Sequence, residues 1–294
     1  MAEFDYGQAD GLRAGAGKPV RVIAVCSGKG GVGKTSLSVN LALALRMLNL
    51  EVMLLDADLG LANVDVLLGL QPAFNLSHVL SGQCTLEETM VEGPMGLMIV
   101  PAASGQRRMA GLDPAEHVGL INAFSEIKRP LDVLIIDNAA GLSDSVLTFS
   151  QAAQEAIVVA CNEPASLTDA YALIKLLSRD YGVSRINVVA NMVRSAAEGR
   201  EVYEKLRRVT ERFLDVNLEL LGSVPHDEML KRAIRKQKAV VEAYPGSASG
   251  AAFRQIALRA SRFELPTGAR GNLEFFVERL VASACPQVSA GAFA

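Results

Sequence analysis

The sequence predicts an α/β fold, a mostly parallel twisted sheet with helices on both faces. Seven short apolar runs recur along the 294 residues, with helical-looking segments between most of them. The runs are apolar throughout rather than alternating, the pattern of strands covered on both faces. The first run leads directly into a glycine-rich stretch that opens a helix, "SGKGGVGKTS" at 27–36.

The elements follow in order. "VRVIAVC" (20–26) is a buried strand by its length and composition. After the glycines, Leu37, Leu41, Leu45 and Leu48 recur at helical spacing, so 35–48 is an amphipathic helix. "EVMLLDAD" (51–58), "LMIVPA" (97–102), "LDVLIIDNA" (131–139), "EAIVVAC" (155–161), "RINVVAN" (185–191) and "LELLGSVP" (218–225) are the further strands. In such sheets a ligand sits at the carboxyl ends of the strands. Gly28 to Thr35, Asp56 to Asp58, Asp137 and Asn191 each follow or close a strand there. Residues 1–18 read as a flexible arm and 19–265 as one P-loop domain. Residues 266–294 read as a linker, "PTGARGN", and a C-terminal amphipathic helix.

Bulk properties narrow the function class. Half of the residues are hydrophobic, which favours a sizeable core over global disorder. The net charge of −3 argues against a protein that coats nucleic acid, and no direct nucleic-acid contact is expected. None of Cys26, Cys84, Cys161 and Cys285 forms a C-x-x-C pair, so neither a zinc ribbon nor a redox motif is supported. The three histidines are scattered. With no signal-peptide pattern and no run of about 18 apolar residues, a cytoplasmic protein is expected.

Strand, then G-x-x-x-x-G-K-[ST], then helix is the phosphate-binding loop arrangement. It comprises Gly28, Lys29, Gly30, Gly31, Val32, Gly33, Lys34 and Thr35, with Ser36 next on the helix. Glycines let backbone N–H groups crowd around phosphate oxygens, and the helix N-terminus adds positive potential. Lys34 is placed to reach the β- and γ-phosphates of ATP, and Thr35 to hold Mg²⁺. Asp137, closing "VLIID", fits a carboxylate that binds Mg²⁺ through water. Asp56 and Asp58 close the neighbouring strand. Asp58, two residues on, can orient a water that attacks the γ-phosphate, with Asp56 behind it near Mg²⁺. Lys29 cannot easily fold back onto phosphates already served by Lys34. A long cation there can reach a nucleotide held by a second subunit, as an arginine finger supplied in trans does.

These residues carry a resemblance. "KGGVGKT" is similar to the deviant Walker A motif of the MinD/ParA family of ATPases, in which the first lysine acts across an ATP-sandwich dimer. "DADLGLANVD" (56–65) resembles that family's switch I, with Asp58 at the catalytic aspartate. "DNAAG" (137–141) resembles its switch II, except that Asn138 replaces a hydroxyl residue. That change implies altered hydrolysis or switch signalling. Asn191, Pro225 and Asp227 match the family's adenine-reading positions.

Wording such as "SLTDAYALIKLL" (166–177) and "LEFFVERL" (273–280) is similar to the family's flagellar-number branch, FlhG (FleN). The arm residues Gln8, Ala9, Leu12 and Arg13 resemble the segment by which that branch engages the FlhF GTPase. The resemblance implies slow ATP hydrolysis and a homodimer in the ATP state. It also implies restraint of a FleQ/FlrA-type transcription activator, and a position near a cell pole. Leu273, Phe276, Val277, Leu280 and Val281 fall on one helical face, which the resemblance makes a membrane-binding helix. The same face could instead dock on the protein's own core, and Glu274 and Glu278 against one Arg279 suit an anionic membrane poorly. "KRAIRKQK" (231–238) is a solvated basic face or a contact for DNA, lipid or an acidic partner. The other reading is a ParA-type ATPase that positions DNA or other cargo.

Overall fold

A computed structural model describes residues 18–102, 113–265, 274–277 and 279. Gln8, Ala9, Leu12, Arg13 and Leu280 lie outside the described residues. In chain order the elements begin with β1 (Arg21–Ser27), α1 (Lys34–Arg46), β2 (Val52–Ala57), α2 (Val64–Leu68), α3 (Leu76–Leu80) and α4 (Leu86–Thr89). They continue through β3 (Val91–Glu92), β4 (Met98–Val100), α5 (Pro114–Ala123), β5 (Val133–Ala140), α6 (Asp144–Gln151), β6 (Glu155–Ala160) and α7 (Pro164–Arg179). The last are β7 (Arg185–Val193), α8 (Ala196–Phe213), β8 (Asn217–Pro225), α9 (Glu228–Arg235), α10 (Val240–Ala243) and α11 (Ala248–Ala260).

The strands form one eight-stranded sheet in the order β3-β4-β2-β5-β1-β6-β7-β8. All pairs are parallel except β3 with β4. All seven predicted strands are present. The eighth, β3, has only two residues at the sheet edge, too few for a periodic signal.

Alternation along each strand divides the core into two layers. Val22, Ala24 and Cys26 of β1 face the layer built with α5, α6, α7 and α8. Ile23 and Val25 face the layer built with α1 and α11. Both layers are dry, which is why the strand sequences carry no polar alternation. Asp56 and Asp137, in register on β2 and β5, are exceptions that point to function.

The tail corrects an expectation. Over the described residues 274–277 the chain is not one regular helix, because Phe276 adopts φ 54°. On a helix, adjacent side chains diverge by about 100°. The left-handed turn instead sinks both Phe275 and Phe276 into the α5–α6 layer, where each is fully buried. Phe275 packs edge-on against Phe124 at 5.1 Å, and its N–H faces the carbonyl of Ala152. Arg279 donates to the carbonyl of Ile127 at 2.6 Å. Phe276, assigned above to membrane contact, is therefore docked on the core in this conformation, while Val277 is half-buried.

Candidate functional site: the phosphate loop and its carboxylates

The loop 28–33 joins β1 to α1 at the carboxyl edge of the sheet. Gly33 caps α1 at φ 86°, with no side chain accepting from the first turn. The first N–H groups of the helix thus remain available to an anion. A Cβ at Gly33 would also collide with the amide nitrogen of Asn191. That nitrogen donates to the carbonyl of Val32 at 2.6 Å, so Asn191 braces the loop from β7. At Gly28, a Cβ would run into the backbone carbonyl of Asp169 on α7, fixing how closely the loop approaches that helix.

Lys34 is nearly buried, and its Nζ lies 2.8 Å from Asp137 Oδ1. Ser38, one turn further along α1, donates to the same oxygen at 2.8 Å. Sequence reasoning missed Ser38, although its place four residues after Lys34 puts it on the same helix face. Asp137 is fully buried, and its Oδ2 has no hydrogen-bond partner among the described residues. A buried carboxylate oxygen without a donor suits a hydrated divalent cation. Thr35 and Ser36 stand in the first turn of α1. The residues present therefore fit Mg²⁺, which would be held by Thr35 and, through water, by Asp137.

Asp56 is buried one strand away, and its two oxygens accept three backbone N–H groups. Oδ1 takes Asp58 at 3.1 Å, and Oδ2 takes Asn63 at 3.0 Å and Val64 at 3.1 Å. It thereby folds the 58–64 loop around itself. Burial, then the charge of Asp137, push its carboxyl up to about 7. Asp58 is half-buried; burial raises its carboxyl as well, and the backbone amides of its own loop oppose that shift, Leu61 at 3.1 Å from Oδ1 and Gly60 beside it. Such a carboxylate can turn toward a water.

Asn138 faces away from the phosphate loop. Next to Asp137 on β5, it points to the opposite face of the sheet, fully buried against α6. Its amide donates to Ser150 Oγ at 3.4 Å. The residue that stands in place of the usual hydroxyl therefore belongs to the β5–α6 contact rather than to the phosphate loop.

Lys29 is half-exposed and turned away from its own loop, pairing with Glu163 at the start of α7 at 2.8 Å. Glu163 carried no sequence signal, because only the fold brings β6 beside β1. Pro225 ends β8. Asp227 caps α9, accepting from Met229 N–H at 2.8 Å, Ser249 N–H at 2.9 Å and Ser249 Oγ at 2.7 Å. Partial burial works against its charge, but these bonds outweigh it and hold the carboxyl below the usual range. Asp227 therefore shapes the β8–α9 corner, with both oxygens engaged in doing so.

A glycine-rich loop, a buried carboxylate and a half-buried acid stand at adjacent strand ends, the arrangement that a nucleoside triphosphate site requires. Known proteins agree. The ParA family model, described as an NUBPL iron-transfer P-loop NTPase, matches residues 18–260. The chain is 57% identical over 267 residues to antiactivator FleN of Pseudomonas aeruginosa, covering 91% of this chain and 95% of that one. It is 34% identical to the flagellum site-determining protein YlxH of Helicobacter pylori, covering 89% and 90%. The septum site-determining protein MinD of Pyrococcus horikoshii, solved with Mg-ADP, superposes with a TM-score of 0.70 at 25% identity, covering 83% and 96%. The chain belongs to the ParA/MinD family of P-loop ATPases.

Proposed function

We propose that this ATPase is a dimerising switch that limits flagellar number and placement. One observation carries the reading: in a chain similar nearly end to end to an antiactivator, a second lysine of the phosphate loop, Lys29, turns its side chain out of the loop onto Glu163. In the ATP state, Lys34 and the loop amides hold the phosphates, and Lys29 reaches the nucleotide of a second copy. Asp58 orients the attacking water, and hydrolysis then returns the chain to the monomer. Mg²⁺, when bound, neutralises phosphate charge and shields the Asp137 carboxylate. The dimer restrains a FleQ/FlrA-type transcription activator. The arm with Gln8, Ala9, Leu12 and Arg13 stimulates an FlhF-type GTPase. The protein is cytoplasmic, with peripheral membrane contact near a pole through Phe276, Val277 and Leu280 after the tail undocks.

Deletion of the gene, with flagella counted by electron microscopy, tests the output. Many polar flagella, reduced by the wild-type gene but not by Lys29→Ala, support it. Normal flagella in the deletion strain refute it. A second reading is supported by the exposure of Lys231, Arg232, Arg235, Lys236 and Lys238, which suits cargo positioning on DNA. Duplex binding that falls steeply with salt would favour that reading.

A further inference from the structure

On the face of the sheet covered by α11, charge is buried at the amino ends of the strands. Arg21 of β1, Glu155 of β6 and Asn187 of β7 are all buried there. Register puts Glu155 and Asn187 on this face: Asn187 pairs with Ile157, which belongs to the layer built with α11 and stands two residues after Glu155. Glu155 accepts from Arg185 and, at 3.0 Å, from the amide of Asn187. Arg21 donates to the carbonyl of Phe263, just past α11, at 2.6 and 3.1 Å. A buried ion pair is rarely more stable than apolar residues of the same size, so stability does not explain this row. Buried charge beside a cavity is instead the pattern of a binding site.

The row borders a cavity of about 310 Å³, lined by Arg185, Arg259, Arg262 and Phe263 together with Glu219 and Glu264. That is room enough for a small molecule. β8 is bulged in its wall. Pairing with β7 jumps from Val188–Leu220 to Val189–Gly222, which leaves Leu221 as the extra residue. Arg259 donates to the Leu221 carbonyl at 2.6 Å. The Arg185 guanidinium uses one nitrogen on Glu155 and lies 5.8 Å from the centre of the Phe263 ring. Among the described residues, neither Arg259 nor Arg262 pairs with a carboxylate, although Glu219 and Glu264 share the cavity with them. Guanidinium forks match the oxygens of a carboxylate or a phosphate. Phe263, Leu220 and Leu221 give the same cavity an apolar wall.

We propose that this cavity is a second ligand site, which takes a small oxyanion carried on an apolar or aromatic body. Arg262 and Arg185 hold the oxyanion, with Arg185 fixed from behind by Glu155. Phe263 packs against the body of the ligand. Glu219 and Glu264 turn away anions of higher charge. The phosphate loop lies past the other end of β1, a strand of seven residues, so the two sites are about 20 Å apart and bind independently.

The test is NMR titration of the full chain, saturated with Mg-ADP, using phenyl phosphate, benzoate and inorganic phosphate as probes. Phenyl phosphate and benzoate should shift the side-chain amide of Asn187 and the Nε–H of Arg185, with a Kd of about 1 mM or tighter. Inorganic phosphate, which lacks the ring, should bind at least about threefold more weakly. Arg262→Gln should weaken phenyl phosphate by about 5- to 10-fold. Its melting temperature should match the wild type, since the side chain is exposed. Glu264→Gln should tighten phenyl phosphate by about 2- to 3-fold by removing a like charge. Arg208→Gln, an exposed arginine on α8, should change nothing. No shift at Asn187 with either aromatic probe, or an unchanged affinity in Arg262→Gln, overturns the inference. Shifts confined to residues 28–35 place the anion at the phosphate loop and overturn it as well. Equal weakening in Arg208→Gln reduces the binding to general charge attraction, which also overturns it.

Discussion

Phe276→Ala should release the tail without unfolding the ATPase domain. The ring is fully buried, packing 6.2 Å from Phe124 and beneath the Arg279 guanidinium at 5.1 Å. Burying a phenylalanine removes about 150–250 Å² from water, worth about 4–6 kcal/mol as an upper bound. Core Phe→Ala substitutions cost about 3–5 kcal/mol, in line with that figure. The backbone works the other way, since φ 54° in a phenylalanine carries a strain of about 1–3 kcal/mol. The ring is therefore what holds the turn in place. Its removal shifts the docking equilibrium by roughly 10²- to 10⁴-fold toward the released tail. Hydrogen exchange reads this directly. The amide of Phe275, which faces the Ala152 carbonyl, and that of Arg279, bonded to the Phe276 carbonyl, should lose protection. Amides of β1 and β5 should keep theirs. Unchanged protection at Phe275 would show that the tail is held by something other than these rings. Equal loss across the sheet would show that the tail is part of one cooperative core.

Other perturbations act at the nucleotide site. Lys34→Ala should destabilise the free protein by about 3–5 kcal/mol in urea titration, beyond abolishing nucleotide binding, because it strips a buried counter-charge from Asp137. Asp58→Ala should bind ATP normally and lose turnover, so gel filtration with Mg-ATP should show a persistent dimer. Its stability should hardly change, since the half-buried carboxylate accepts from amides of its own loop, Gly60 and Leu61. Lys29→Ala should leave the thermal midpoint unaltered, as its ion pair is solvent-exposed, yet remain monomeric with ATP. The Asp56 carboxyl is raised from 3.8 to about 7 on folding, so the folded state holds its proton more tightly than the unfolded chain. Stability without nucleotide should fall as pH rises through that window and level off above it; urea midpoints at pH 5 and 8 that fail to separate would contradict this.

How much of this was legible in the sequence depended on the range of the interaction. The phosphate loop reads from eight contiguous residues, and its glycines fill the roles their backbone freedom suggests. Asp56, Asp58 and Asp137 read as strand-closing acids because the strands ahead of them are wholly apolar. The roles of Asp56 and Asp227 were not legible, because backbone amides several residues away claim their oxygens. The motif around Asn138 does not record which side of the strand that residue faces. Parity does: Asp137 and its neighbour must point apart. Glu163 and Phe276 depend on strand order and on one left-handed residue, which no periodicity reveals. The bulge at Leu221 carried no signal at all, since a bulge is a defect in the period that reveals strands.

The two lysines of "SGKGGVGKTS" differ through what surrounds them. Lys34 is 7% exposed and faces a carboxylate that is wholly buried. Moving it outward would leave that charge alone in a dry layer, so Lys34 can only exchange Asp137 for a phosphate arriving at the same spot. Lys29 is 39% exposed, and its partner Glu163 is 62% exposed. That pair is screened by water and gives up little on separation. A cation tethered to the loop but weakly held can be drawn to whatever stronger anion approaches the open face. Lys34 is thus held by burial beside Asp137, whereas Lys29 is left by exposure able to exchange Glu163 for another anion. The difference lies in solvent access rather than in residue type. Arginine at position 29 should therefore still reach across to a second copy, whereas arginine at position 34 should not fit the buried slot beside Asp137.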